Sequence, residues 1–256
     1  MQNFIFYNYS RLNSEEIKHE AHTHNSFELI FVYEATGTYH VEDKYYQINP
    51  YDLIITRPGV HHFIDLKANT NYERINILVE YNSSLAYQLK KYCKQFDIIS
   101  CRNLDNIVSA FDRMKEYHNN LSSEDFSLLL NSLIIEIAVN TQFFTKDYAN
   151  TPKNISQTIS QALDYINKHL FEIENVQEIS SALFISKNYL IALFKETLEI
   201  TPMKYINNKR LVMAQKRLLK GEKPTKIYAE CGFNNYVTFY KAYTNYFGHP
   251  PSDDIN

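Results

Sequence analysis

The chain has 256 residues with 26 basic and 29 acidic side chains, a length that supports two separate cores and makes two domains the default expectation. Three cysteines, Cys93, Cys101 and Cys231, lack metal-ligand spacing, which argues against a disulfide framework and fits reduced thiols with structural roles. No basic segment leads into an apolar export signal, because Phe4-Ile5-Phe6-Tyr7 breaks at once into Asn8, Ser10 and Arg11, and a cytoplasmic location is expected.

From Phe4 to about Glu80 the apolar residues fall in short β-branched and aromatic runs: Phe27 to Tyr33, Thr38 to Val41, Tyr45 to Ile48, Leu53 to Thr56 and Ile75 to Val79. Glu42-Asp43 reads as a hairpin tip, and Asn49-Pro50-Tyr51-Asp52 and Arg57-Pro58-Gly59 read as turns. Strands this short and numerous, with no helical period between them, predict an antiparallel barrel or sandwich. After Ser83 the period changes. Leu104, Ile107, Val108, Phe111 and Met114 predict an amphipathic helix, and a second helix is expected from Glu124 to Phe144. That second helix is apolar on most sides, yet Asn131, Ser132, Glu136 and Asn140 interrupt it, so no membrane span is expected. One side is expected to pack on the barrel and the other on a second subunit, with Leu133 and Ile137 at the junction; burial within the monomer is the alternative.

Residues 145–154 are polar, contain Pro152 and fit no period, and are read as an interdomain linker. Beyond them punctuation predicts six helices: Ile155 to Leu170, Val176 to Phe184, one capped by Ser186 and running to Thr197, one opened by Thr201-Pro202 and stopped by Gly221, Pro224 to Glu230, and Asn235 to Phe247. Two helix-turn-helix units thus flank one long spacer, whose length suits two recognition helices entering successive major grooves of B-DNA. Residues 1–150 carry 13 basic and 19 acidic side chains, against 13 and 10 in residues 151–256, so the second part is the one suited to a polyanion. The expected contacts are Ser186, Lys187, Asn188, Ile191, Ala192 and Lys195 in the first unit, and Tyr236, Val237, Tyr240 and Lys241 in the second. Apolar side chains suit thymine methyls, asparagine can pair with adenine, and lysine takes phosphate, which predicts an A·T-rich target. The spacer adds Lys204, Lys209, Arg210, Lys216, Arg217 and Lys220 as phosphate contacts.

Within this half, Val176-Gln177-Glu178-Ile179-Ser180, Ser186 through Lys195, Arg210-Leu211 with Ala214, Ile227, Gly232-Phe233, Phe239 and Phe247-Gly248 resemble the AraC/XylS family of transcriptional regulators. Glu199 stands where that family usually has glycine, Tyr228 where a small alanine packs, Tyr243 where phenylalanine is usual, and Pro250 where serine or threonine is usual. The first half, through His22-Thr23-His24, Glu28, Gly37, Pro58-Gly59 and His61-His62, resembles the family's cupin-type sensing domain, with Tyr51 replacing the glycine that opens the second cupin motif. The resemblance implies an α+β chain: a cupin-like barrel over residues 1–100, a helical dimerisation segment over 101–147, and an all-α double helix-turn-helix domain over 148–256. It implies a regulator, commonly an activator, whose partners are double-stranded promoter DNA, a small-molecule effector, a second copy of the chain and RNA polymerase. His22, His24, Glu28 and His62 correspond to cupin metal ligands, suited to Zn, Fe, Mn or Ni; solvent-exposed or hydrogen-bonded histidines near the barrel mouth, and a polar wall of His22, His24, Glu28, Tyr39 and His62 that binds a small organic effector, are the other readings, and no obligate cofactor is expected. A metal-dependent enzyme and a constitutive regulator whose barrel only dimerises are the competing functions. No Ser-His-Asp set, phosphate loop or Cys-His nucleophile favours the enzyme.

Overall fold

The computed structural model describes residues 5–13, 21–93, 97–143 and 151–255. Eight strands and a helix trio build the first part: β1 Ile5–Asn13, β2 Ser26–Glu34, β3 Gly37–Val41, β4 Lys44–Ile48, β5 Asp52–Thr56, β6 His62–Leu66, β7 Asn71–Glu80, α1 Ser84–Tyr92, β8 Ile98–Ser100, α2 Asp105–Asn120 and α3 Ser123–Asn140. They form two antiparallel sheets, one ordered β1-β7-β2-β5-β8 and one in which β3 lies between β6 and β4. Strand β2 shows how the layers arise. Because successive side chains point to opposite faces, Phe27, Leu29 and Phe31 join the cluster that holds α1, α2 and α3, while Ile30 and Val32 join the cluster between the sheets. Glu28 shares the inner face of Ile30 and Val32 and is therefore carried into the barrel. Gly37 is required by close approach, since a Cβ there would lie 2.3 Å from the Asp65 carbonyl oxygen.

The expected dimer contacts need correction. Leu133 and Ile137 are buried with Leu130 and Ile134 in the monomer's own core, each contributing about 2–3 kcal/mol of apolar burial. The side of α3 turned to solvent carries Leu128, 65% exposed, Leu129, and Ile135, 40% exposed. Helix α1 was also unforeseen; Ser83 caps it by accepting from the Ala86 amide at 3.1 Å.

The linker reading changes as well. Residues 144–150 lie outside the described ones, but Lys153–Asn154 form a short strand, β9, paired with Tyr45 and Lys44 at the edge of β4. Two exposed residues filling a free sheet edge leave no periodic trace.

Six helices follow: α4 Gln157–Lys168, α5 Val176–Ala182, α6 Lys187–Leu198, α7 Pro202–Leu218, α8 Pro224–Glu230 and α9 Tyr236–Phe247. Side-chain caps start most of them, with Asn175, Ser186, Thr201 and Asn235 each accepting a backbone N–H of the first turn. Helix α7 is shared between two cores. Tyr205 and Ile206 pack with α4, α5 and α6, whereas Leu211, Ala214 and Leu218 pack with α8 and α9. Its 17 residues span about 26 Å. Both positions at which glycine is replaced adopt the left-handed conformation that glycine supplies cheaply: Tyr51 has φ 69° and Glu199, at the end of α6, has φ 56°.

Candidate nucleic-acid interface and effector site

The outward faces of α6 and α9 remain open. Lys187, Asn188, Ala192 and Lys195 are exposed on α6, as are Val237, Tyr240 and Lys241 on α9, while Leu190, Phe194, Phe239 and Tyr243 are buried beneath them. Ser186 serves α6 as its cap, receiving the Tyr189 amide at 3.2 Å. Two expected contacts are only half outward: Ile191 packs partly on the first core, and Tyr236 lies edge-on to Tyr228 with ring centroids 5.9 Å apart. Tyr228 thus fits the second unit by pairing with a ring already on α9. Tyr189, half exposed on α6, extends this face and was missed, because an aromatic residue next to a core leucine reads as core.

Arg210 is a correction. It is buried, and its guanidinium donates to the Leu170 oxygen at 2.7 Å, the Ile173 oxygen at 2.6 Å and the Gly232 oxygen at 2.8 Å. Three of its five N–H donors are thus spent on backbone carbonyls, and its burial holds it away from a surface phosphate; burial also lowers its pKa. Most of the other spacer cations are also engaged. Lys209 pairs with Glu42 at 3.0 Å, Lys216 is half-buried against the barrel with its ammonium over the Tyr81 ring, and Arg217 binds Glu222 and Glu230. Of the six, Lys204 and Lys220 stand exposed.

In the barrel, His22, His24, Glu28 and His62 bring one ligand atom each within 4.8 Å of one another. Turn and register do this. His22 and His62 exchange backbone hydrogen bonds at 3.1 and 3.0 Å, His24 follows two residues on, and Glu28 projects from β2. The Glu28 carboxylate meets His62 Nε2 at 2.9 Å and His24 Nε2 at 3.2 Å, and accepts from Asn76 Nδ2 at 2.9 Å. Burial opposes its charge, but the two imidazoles outweigh that and hold its pKa well below the ordinary carboxyl value. Asn76 was not legible in sequence, since only the pairing of β2 with β7 sets it opposite Ile30. His62 Nδ1 lies 3.0 Å from the Val60 carbonyl oxygen, a contact that orients Nε2 toward the cluster as carbonyls do for metal-binding histidines. Three imidazoles and a carboxylate form a donor set for a divalent transition ion. Tyr39 is fully buried, its hydroxyl 2.7 Å from Thr56 Oγ1, and belongs to the core beside the cluster. The three cysteines are free and buried.

The cluster adjoins the helical half. The Thr23 carbonyl, between His22 and His24, accepts the Tyr246 hydroxyl of α9, and His61, next to His62, lies 3.0 Å from the Leu198 carbonyl oxygen of α6. At the β3–β4 tip Glu42 accepts from Tyr205 and pairs with Lys209.

Residues 9–137 match a family model described as an AraC-like ligand binding domain, and residues 179–255 match one described as a helix-turn-helix domain. The probable transcriptional regulator LumQ of Photobacterium leiognathi is 34% identical over 90 residues, 35% of this chain and 36% of that protein; the match therefore spans about a third of that relative. The lactose operon transcription activator of Staphylococcus xylosus is 19% identical over 86% of this chain and 80% of its own length. Among solved structures, ToxT from Vibrio cholerae O395 aligns over 97% of this chain and 96% of its own with 16% identity and a TM-score of 0.40. No helix among the described residues is long and apolar enough to cross a membrane.

Proposed function

The chain belongs to the AraC-type transcriptional regulators, and on that premise we propose that α6 and α9 enter successive major grooves of promoter DNA while the barrel sets how firmly they are held. The observation that carries this reading is the pair of open helix faces, each over its own core, on one shared rod. Asn188 pairs with adenine, Ile191, Ala192 and Val237 meet thymine methyls, and Lys187, Lys195 and Lys241 take phosphate. Ser186, Tyr236 and Tyr240 complete the contact set at the edges of the two helices. The division into a barrel over 1–100, a helical segment over 101–147 and a DNA-binding part over 148–256 belongs to the same reading. Because α3 presents Leu128, Leu129 and Ile135 to solvent, that face pairs with a second copy. Activation through RNA polymerase, in the cytoplasm, belongs to the same reading; it is supported by a relative over most of this chain that is named a transcription activator.

His22, His24, Glu28 and His62 would hold a divalent metal as the sensed species. The cation would supply the positive charge that lets three imidazoles and a carboxylate share one small volume. Thr23 and His61, which flank these residues, touch α9 and α6, so bracing the cluster favours one placement of the reading helices, as differential binding to two arrangements requires.

Anisotropy with an A·T-rich promoter duplex tests the DNA reading: affinity falls steeply with salt, and Asn188→Ala and Lys241→Ala each weaken binding. Wild-type affinity in both variants would overturn the contact assignment. For the sensor, zinc, nickel, manganese or ferrous ion raises the melting midpoint of the full chain, and His24→Ala with Glu28→Gln abolishes the rise. A midpoint indifferent to all four ions removes the metal.

A further inference from the structure

A second site lies at the seam between barrel and spacer helix. A cavity of about 310 Å³ is lined by Phe27, Arg57, Pro58, Tyr81, Lys90 and Cys93 of the first half and by Lys216 of α7. Its wall is mostly apolar, yet it gathers three cations. Arg57 is answered by Asp97. Among the described residues Lys216 has no carboxylate partner; its ammonium lies 3.4 Å from the Pro58 carbonyl oxygen and 5.0 Å from the centre of the Tyr81 ring. Burial lowers its pKa, and repulsion from Lys90 and Lys209 lowers it further. A half-buried ammonium that shares a mostly apolar cavity with a second lysine is a costly arrangement unless something supplies negative charge.

We infer that this cavity binds a small organic anion, a carboxylate on an apolar body, whose charged end lies between Lys90 and Lys216 and whose body rests on Phe27, Tyr81 and Cys93. Cavities of this size, largely apolar with a few convergent polar groups, are the usual form of small-molecule sites. The ligand touches both halves at once, so it adds a bridge between the barrel and α7 that is separate from the histidine cluster and independent of any metal there.

The test uses the full chain and calorimetric titration with three probes: 3-phenylpropionate, the neutral 3-phenylpropan-1-ol, and inorganic phosphate. The acid binds saturably in the millimolar range or tighter, and the alcohol and phosphate each bind at least about tenfold more weakly, because each lacks half of the recognised chemistry. Lys216→Met and Lys90→Met each reduce affinity for the acid by about tenfold. Without ligand, Lys216→Met melts higher than wild type, since it removes an unanswered cation while keeping the apolar stem; that rise also shows that the variant folds. Equal binding of acid and alcohol, undiminished binding by Lys216→Met, a lower melting point for that variant, or no saturable heat with the acid would each overturn the assignment.

Discussion

Replacing Arg210 with methionine keeps a flexible stem but deletes three charged hydrogen bonds, to Leu170, Ile173 and Gly232. The first two carbonyls belong to the segment between α4 and α5, the third to the turn between α8 and α9, so one side chain ties the two helix-turn-helix units through their shared rod. Hydrogen bonds to a charged donor contribute about 1.5–3 kcal/mol each. Desolvating the guanidinium offsets part of this, and three carbonyls are left in need of partners. Three bonds of that size less this offset give an expected net loss of about 3–5 kcal/mol. Arg210→Lys recovers little, because an ammonium cannot reproduce the planar fork. Gly232 gives an independent check. It has φ +79°, and a Cβ there would lie 2.7 Å from both Arg210 Cζ and Nε and from the Phe171 oxygen. Gly232→Ala should therefore destabilise on its own, and its cost should shrink in the Arg210→Met background because part of the clash is gone. Urea unfolding followed by far-ultraviolet circular dichroism measures all four variants. If Arg210→Met stays within about 1 kcal/mol of wild type, below the cost of one charged bond, yet loses DNA affinity, the side chain is a phosphate contact after all. Strict additivity with Gly232→Ala would refute the proposed contact.

Glu199→Gly should raise stability by about 1 kcal/mol, since glycine adopts the left-handed conformation without the Cβ penalty; a lower melting point would show that Glu199 makes a contact worth more than the strain. Glu73 holds its carboxyl below the ordinary value of 4.5: burial works against the charge, but the Tyr9 hydroxyl and the Lys115 ammonium outweigh it. The folded pKa being depressed, this stabilisation is complete above about pH 4.5 and is lost as pH falls through the folded value. Glu73→Gln should flatten stability against pH in that acid range, and an unchanged slope would remove the role. Leu128→Asp combined with Ile135→Asp should leave the fold intact and dissociate the proposed dimer in sedimentation, whereas wild-type protein that is already monomeric would refute the interface.

The helical half was legible almost to the residue because its ends are chemically marked. Ser186, Thr201-Pro202 and Asn235 start helices, and α8 falls on the expected Pro224–Glu230. The barrel strands were legible as runs, but β2, apolar on both faces, hid its orientation until the helices claimed Phe27, Leu29 and Phe31. The histidine cluster followed from the resemblance to the cupin motifs, whereas Asn76 required register. Arg210 misled because a cation on a basic helix reads as surface; only the third dimension reveals the carbonyls around it. Leu133 and Ile137 misled for the opposite reason. A helix apolar on many sides does not say which side the monomer uses itself, and α1, unforeseen, takes part of that surface.

The barrel grips the spacer at several of its turns, with Glu42 on Tyr205 and Lys209 and the Pro58 loop beside Lys216. None of these contacts belongs to one DNA-reading unit alone, since the rod is the wall common to both. A rearrangement of the β3–β4 tip would therefore be felt by the two recognition helices together, as a change in spacing or tilt of a linked pair, and the natural output is tolerance of half-site separation, with base preference unchanged.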